Sequence, residues 1–153
     1  MNTESDRTDL TWLPPDGHRL RKAGVYFDAV RVDGELGAEL ATLMVRLTGG
    51  FPGPVVTSAV RRRPTYFLVP SGSTTGRPWP CAAERLTSDG CGQVAYIPVP
   101  ALDGPTWPLS WRCVPRPDGV LVHALLLRSA LRTLLDRDPA QADEAHGGRG
   151  DEE

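Results

Sequence analysis

The sequence predicts an α+β fold: a single domain in which a mixed or mainly antiparallel sheet carries two principal helices on one face. Three observations predict it. Short β-branched or aromatic runs bounded by Pro and Gly recur between residues 25 and 114. Two segments, about 33–48 and 118–136, carry apolar residues at helical spacing. The chain has 153 residues, 40% hydrophobic and 24% charged, which is ordinary for one globular domain.

In chain order, residues 1–11 are polar, and residues 138–153 hold too few apolar groups to repay ordering. Both are expected to be disordered, around a domain of residues 12–137. Leu13-Pro14-Pro15-Asp16-Gly17 reads as a turn and Val25 to Val32 as a strand. Asp33 can cap the first helix, whose apolar positions are Leu36, Leu40, Leu43, Met44 and Leu47, and Gly49-Gly50 stops it. Phe51-Pro52-Gly53-Pro54 connects to two strands, Val55–Val60 and Thr65–Val69, which flank Arg61-Arg62-Arg63 as a hairpin. Pro70–Pro80 is a Ser/Gly/Thr/Pro loop, and residues 81–92 fit neither a helical nor a strand pattern clearly. Val94–Ile97 reads as a strand closed by Pro98 and Pro100, and Leu109–Val114 as a last, edge strand after a loop at Leu102–Pro108. Asp118 is then expected to cap the final helix, with Val120, Ala124, Leu127, Leu131 and Leu134 on one face and Leu121 and Leu125 widening it. Asp138-Pro139 ends that helix.

Composition excludes several classes. No apolar run approaches the roughly 18 residues that cross a bilayer, the first residues are polar and acidic rather than signal-like, and no repeat of 20–50 residues is present. Membrane partners are therefore not expected, and a cytoplasmic location is. Cys81, Cys91 and Cys113, spaced by 10 and 22, match no zinc or redox motif and read as reduced thiols in small core positions. The formal charge of -2 hides an asymmetry: the first eleven residues carry -2 and the segment from Asp136 carries -5, so Trp12–Leu135 carries +5. Lys22 is the only lysine, and 16 arginines supply the rest of the positive charge. A basic body suits nucleic-acid or nucleotide binding; scattered surface arginines that merely confer solubility suit it equally.

Few residues form a recognisable site. His18, His123 and His146 fall in a turn, a helix and the C-terminal segment without metal-ligand spacing. No glycine cluster has the strand–turn–helix setting of a phosphate loop. Ser71-Gly72-Ser73 lacks the pattern of a nucleophile elbow. Trp79, Trp107 and Trp111 read as core or loop anchors. The candidate binding residues are Arg61, Arg62 and Arg63, consecutive guanidinium groups that can grip phosphate, followed by Tyr66 and Phe67, which must point to opposite faces of a strand. An ordinary charged hairpin tip is the competing reading.

A longer pattern is carried by Val25–Gly37 (VYFDAVRVDGELG), Gly53–Pro70 (GPVVTSAVRRRPTYFLVP), Gly92–Pro100 (GQVAYIPVP) and Trp107–Trp111. It resembles the N-terminal domain of bifunctional DNA primase/polymerases, and more narrowly the short, divergent prim-pol-like proteins of actinobacteria, over about residues 24 to 135. The resemblance implies an Asp-x-Asp pair and a third acid holding divalent metal for nucleotidyl transfer, and a His contacting nucleotide phosphates. Keeping Gly37 in register puts Arg31 at the first acid and Asp33 at the second. Pro64 falls where the His belongs, and the third acid falls near Leu86, with Asp89 close by. An arginine repels a metal ion and proline offers no imidazole. Asp28 is no substitute: five residues from Asp33 along a strand, it lies on the opposite face, about 16 Å away. The family's catalytic motifs are thus degenerate, and neither polymerase activity nor a cofactor is expected.

Three functions follow in order of preference. The first is a non-catalytic prim-pol-like domain binding nucleic acid or nucleotide through its arginines. The second is a protein-interaction or regulatory module contacting an unidentified partner through Ser71–Pro80 and Leu102–Pro108. The third is a residual enzyme using groups that the sequence does not place together.

Overall fold

The alternation in Ala29-Val30-Arg31-Val32 sets how the molecule is layered. Val30 and Val32 turn to one side of their strand and Ala29 and Arg31 to the other, and each apolar set finds its own core. The computed structural model of the chain describes residues 10–88 and 94–137. Its elements are β1 (His18–Lys22), β2 (Asp28–Asp33), α1 (Gly34–Leu47), β3 (Val55–Ser58), β4 (Pro64–Val69), β5 (Ala83–Leu86), β6 (Tyr96–Pro100), β7 (Leu109–Cys113) and α2 (Ala124–Arg137).

Five strands form one sheet in the order β5-β2-β4-β3-β7, and β1 and β6 form a second. All pairings are antiparallel. Because β4 lies between β2 and β3, those two run parallel to each other, joined by α1 as a split β-α-β unit. Both helices cover one face, where Leu40, Met44, Leu127 and Leu131 pack on Val30, Val32, Val55, Phe67 and Val69. The small β1–β6 sheet covers part of the other face, burying Ala23, Phe27, Ala29, Leu68, Ile97 and Val99 with Trp12. The α+β class and the placement of the helices are as the sequence predicts.

Gly37 explains how closely α1 lies on the sheet. A Cβ there would stand 2.3 Å from the Val32 carbonyl oxygen, so no larger residue fits without a shift. The helix ends where expected, with the Gly49 and Gly50 N–H groups donating to the Arg46 and Val45 carbonyls and both glycines at positive φ. Leu47, expected in the apolar stripe, is instead exposed in the last turn.

The start of the last helix differs from expectation by six residues. Asp118 does not cap it: its carboxylate is held by Arg116 and by the Val120 N–H. Gly119 is left-handed, and Val122 is drawn onto the sheet by donating its N–H to the Leu68 carbonyl at 2.8 Å. Only after His123, whose Nδ1 accepts the Leu126 N–H, can the helix begin. Ala124, Leu127, Leu131 and Leu134 are buried as predicted, whereas Val120 and Leu125 are exposed.

Strand boundaries shift for similar reasons. Val25 and Tyr26 belong to an exposed turn closed by Gly24 N–H and the Phe27 carbonyl, so β2 starts at Asp28. β1 and β5 are additional to the predicted strands. Pro98 and Pro100 lie inside β6 rather than closing it. The bonds Ala23 N–H to Ala95 and Ala101 N–H to Gly17 fix the parity of the ladder, placing both prolines where an N–H would face the free edge.

Candidate functional site

β2 presents Arg31 and Asp33 on the face turned away from the helices, side by side at a spacing of two. Arg31 Nε donates to Asp33 Oδ1 at 2.8 Å and a terminal guanidinium nitrogen to Oδ2 at 3.3 Å. Arg31 is flanked by Tyr66 on β4 and Glu84 on β5, with 3.6 Å between its Nη1 and Glu84 Oε1. Arg62 Nη1 lies 3.9 Å from Asp33 Oδ2. Two carboxylates therefore face two guanidinium groups, and the patch needs no further cation for neutrality. The hydrogen bond to Asp33, then its charge and those of Tyr66 and Glu84, hold Arg31 above its ordinary pKa against the opposing effect of burial. Burial pushes the Tyr66 phenol up; Arg31 pulls it down, and Asp33 and Glu84 add to the rise.

Of the positions singled out in the sequence, three come together. Pro64 opens β4 directly across from Asp33, next to the Arg31–Asp33 pair. Asp89 lies outside the described residues. Leu86 is a half-buried apolar residue paired with Ala29. Asp28 is on the helix side, fully buried, with Oδ2 accepting the Gly72 N–H at 2.8 Å, and does not join Asp33. Glu84 is the residue that sequence reasoning missed. Ala-Glu-Arg-Leu is too short a run to declare its face, and only its register with β2 puts the carboxylate opposite Arg31. Among the described residues, no group of three His, Cys, Asp or Glu side chains is placed to hold a metal.

Arg61, Arg62 and Arg63 form the turn between β3 and β4, and all three are exposed. Arg61 and Arg63 adopt φ of 60° and 51°, the left-handed region that residues with a Cβ seldom enter. Two contacts stabilise this turn: the Arg63 N–H donates to Val60, and the Gly34 N–H is shared by the Arg62 and Arg63 carbonyls at 2.9 and 3.1 Å. The arginine tip is thereby tied to the first residue of α1. Arg62 reaches Asp33, while Arg61 and Arg63 have no acidic partner among the described residues. Beyond the tip, Phe67 is buried under the helices and Tyr66 lies half-buried on the opposite face, the split that strand geometry predicts.

The remaining candidates are dispersed. His18 is in β1 rather than in a turn, His123 precedes α2 rather than lying within it, and His146 is outside the described residues. Cys113 is half-buried, but Cys81 is exposed and so is no core residue; Cys91 is not described. Trp79 anchors its loop by donating to the Thr74 carbonyl, and Trp111 donates to Ala101. Trp107 anchors nothing in the core and is 75% exposed.

Among the described residues, no helix is long and apolar enough to cross a membrane. Compared with protein-family models, curated proteins and solved structures, the chain matches none.

Proposed function

We propose that this chain is a prim-pol-like domain without polymerase chemistry that binds nucleic acid or nucleotide phosphate through Arg61, Arg62 and Arg63. The observation that carries the reading is the exposed arginine turn, whose left-handed backbone presents three guanidinium groups on a tip fastened to α1. Guanidinium groups match phosphate oxygens bidentately and stay charged at any physiological pH. The non-catalytic part rests on Arg31, which clamps Asp33 where the resembled family has metal-binding acids.

Fluorescence anisotropy with single-stranded and duplex oligonucleotides tests it. Affinity should fall steeply with salt, and the triple substitution Arg61→Ala, Arg62→Ala, Arg63→Ala should reduce the slope of log K against log salt by about 2 to 3. Absence of binding at low salt, or binding indifferent to the substitutions, would overturn the reading.

A second reading, a protein-interaction module, is favoured by Leu102 and Trp107, both exposed on one loop. Co-purification that yields no stoichiometric partner, together with a monodisperse monomer in solution, counts against it.

A further inference from the structure

We infer that the outer edge of β1 takes up an extended acidic segment of another protein as an additional strand. The inference goes beyond the arginine turn and does not depend on it. The two sheets end in four outer strands, β1, β6, β5 and β7, and an outer strand exposes backbone N–H and C=O groups on which another chain can pair. Three of these strands are blunted. Pro98 and Pro100 remove donors from β6. β5 is only four residues long, and β7 has a register shift where it meets Val55 and Val56. β1 has neither a proline nor a bulge.

The ladder determines which groups β1 presents. The bonds from Ala23 N–H to Ala95 and from Ala101 N–H to Gly17 place Arg19 and Arg21 in hydrogen-bonded pairs with Val99 and Ile97. The N–H and C=O groups of His18, Leu20 and Lys22 therefore point outward, and none has a hydrogen-bond partner among the described residues. Alternating donors and acceptors are what an extended peptide satisfies; phosphate, which only accepts, does not. The side chains then select the partner. β1 reads His-Arg-Leu-Arg-Lys, and like charges directly opposite destabilise a strand pair. A second copy of β1 would set arginine against arginine, so these charges guard the edge against self-pairing. An acidic segment reverses the sign of each contact. The basic groups are also little engaged. Among the described residues, Arg19 meets only Asp16, at 3.9 Å with both side chains exposed, Arg21 Nε donates to the Trp12 carbonyl at 2.8 Å, and Lys22 meets no acid. Leu20, 64% exposed between them, offers an apolar contact to alternate side chains of the incoming strand.

The experiment titrates the full chain with the peptide acetyl-Glu-Val-Glu-Val-Glu-Val-Glu amide at low salt, followed by amide NMR and hydrogen exchange. A strand added to β1 should slow exchange at the His18, Leu20 and Lys22 amides more than at Arg19 and Arg21, which are already paired with β6. Methylating every backbone nitrogen of the peptide keeps its charges, removes its donors and should abolish binding. The counterpart with Lys in place of Glu should not bind. Leu20→Pro removes one outward N–H, from which Pro98 opposite takes no bond, and should weaken the peptide about tenfold. Arg19→Glu combined with Lys22→Glu should weaken it at least as much. If Leu20→Pro also lowers the melting temperature, the methylated peptide gives the answer on the unaltered chain. Equal affinity for the methylated peptide would be charge attraction alone and overturns strand addition. A single-stranded oligonucleotide that shifts the β1 amides where the acidic peptide does not assigns the basic strand to phosphate, and overturns it too. Slow exchange at His18, Leu20 and Lys22 in the free chain, unchanged by the peptide, means that the chain's own acidic termini occupy the edge, which also overturns it.

Discussion

Arg31 decides the charge of the open sheet face, because its one guanidinium pairs with both the Asp33 and Glu84 carboxylates. Replacing it by Arg31→Asp should gather three carboxylates, whose mutual repulsion lowers the melting temperature in chelator. Millimolar manganese should then restore about 1 kcal/mol or more, roughly 4 °C, in the variant and nothing in the parent; equal melting with and without metal would show that the pocket cannot close around an ion. Tyr66 reports on the same contact. Its phenol is held above the usual pKa, so its contribution to stability is complete below the unfolded value near 10 and is lost as pH rises through the folded one. Arg31 is the one neighbour pulling that value down. Arg31→Ala should therefore move the Tyr66 phenolate transition further up, measured by ultraviolet absorbance against a Tyr66→Phe control. The arginine itself was legible in the sequence, since it stands two residues before Asp33. Glu84 was not, because nothing within Ala-Glu-Arg-Leu announces a register with β2.

At the scale of elements, what was legible depended on whether a signal was local. Gly49-Gly50 ends α1 through its own backbone, and the reading from sequence holds. The start of α2 is set by a distant partner, the Leu68 carbonyl that draws Val122 onto the sheet, and Asp118 misleads because its carboxylate is already bound by Arg116. β1, His-Arg-Leu-Arg-Lys, shows no apolar alternation and exists through its pairing with β6. Gly37 joins both kinds of signal, a residue visible in sequence whose reason lies in the helix–sheet approach. Gly37→Ala gains about 1 kcal/mol of helix propensity but forces a methyl to within 2.3 Å of the Val32 carbonyl. Overpacking of that kind typically costs about 1–3 kcal/mol, and contact with a backbone atom belongs at the upper end. Chemical denaturation should show a net loss of about 2 kcal/mol; a stabilised variant would mean that α1 can slide on the sheet without penalty.

Over the whole molecule, the formal charge of -2 describes no surface that a ligand meets. Trp12–Leu135 carries +5, and the segment from Asp136 carries -5. α2 ends at Arg137 beside Glu35 and Ala38 of the first turns of α1, and the Gly34 N–H that opens α1 is bonded to the arginine turn. The segment beyond Arg137 is thus attached at the end of the domain that carries the start of α1, to which the arginine turn is tied, and charges interact over roughly 10 Å at 0.1 M salt and farther at lower salt. Converting Asp143, Glu144, Asp151, Glu152 and Glu153 to their amides removes five negative charges from the full chain and none from the described residues. If the arginine turn binds nucleic acid, that variant should bind oligonucleotides on the order of tenfold more tightly at low salt, chiefly through faster association. The gain should shrink towards nothing as salt rises, because the added attraction is long-range. A gain that persists in high salt would mean that the acidic side chains contact the binding surface directly. Equal affinity at every salt concentration would mean that the ligand responds only to the basic body.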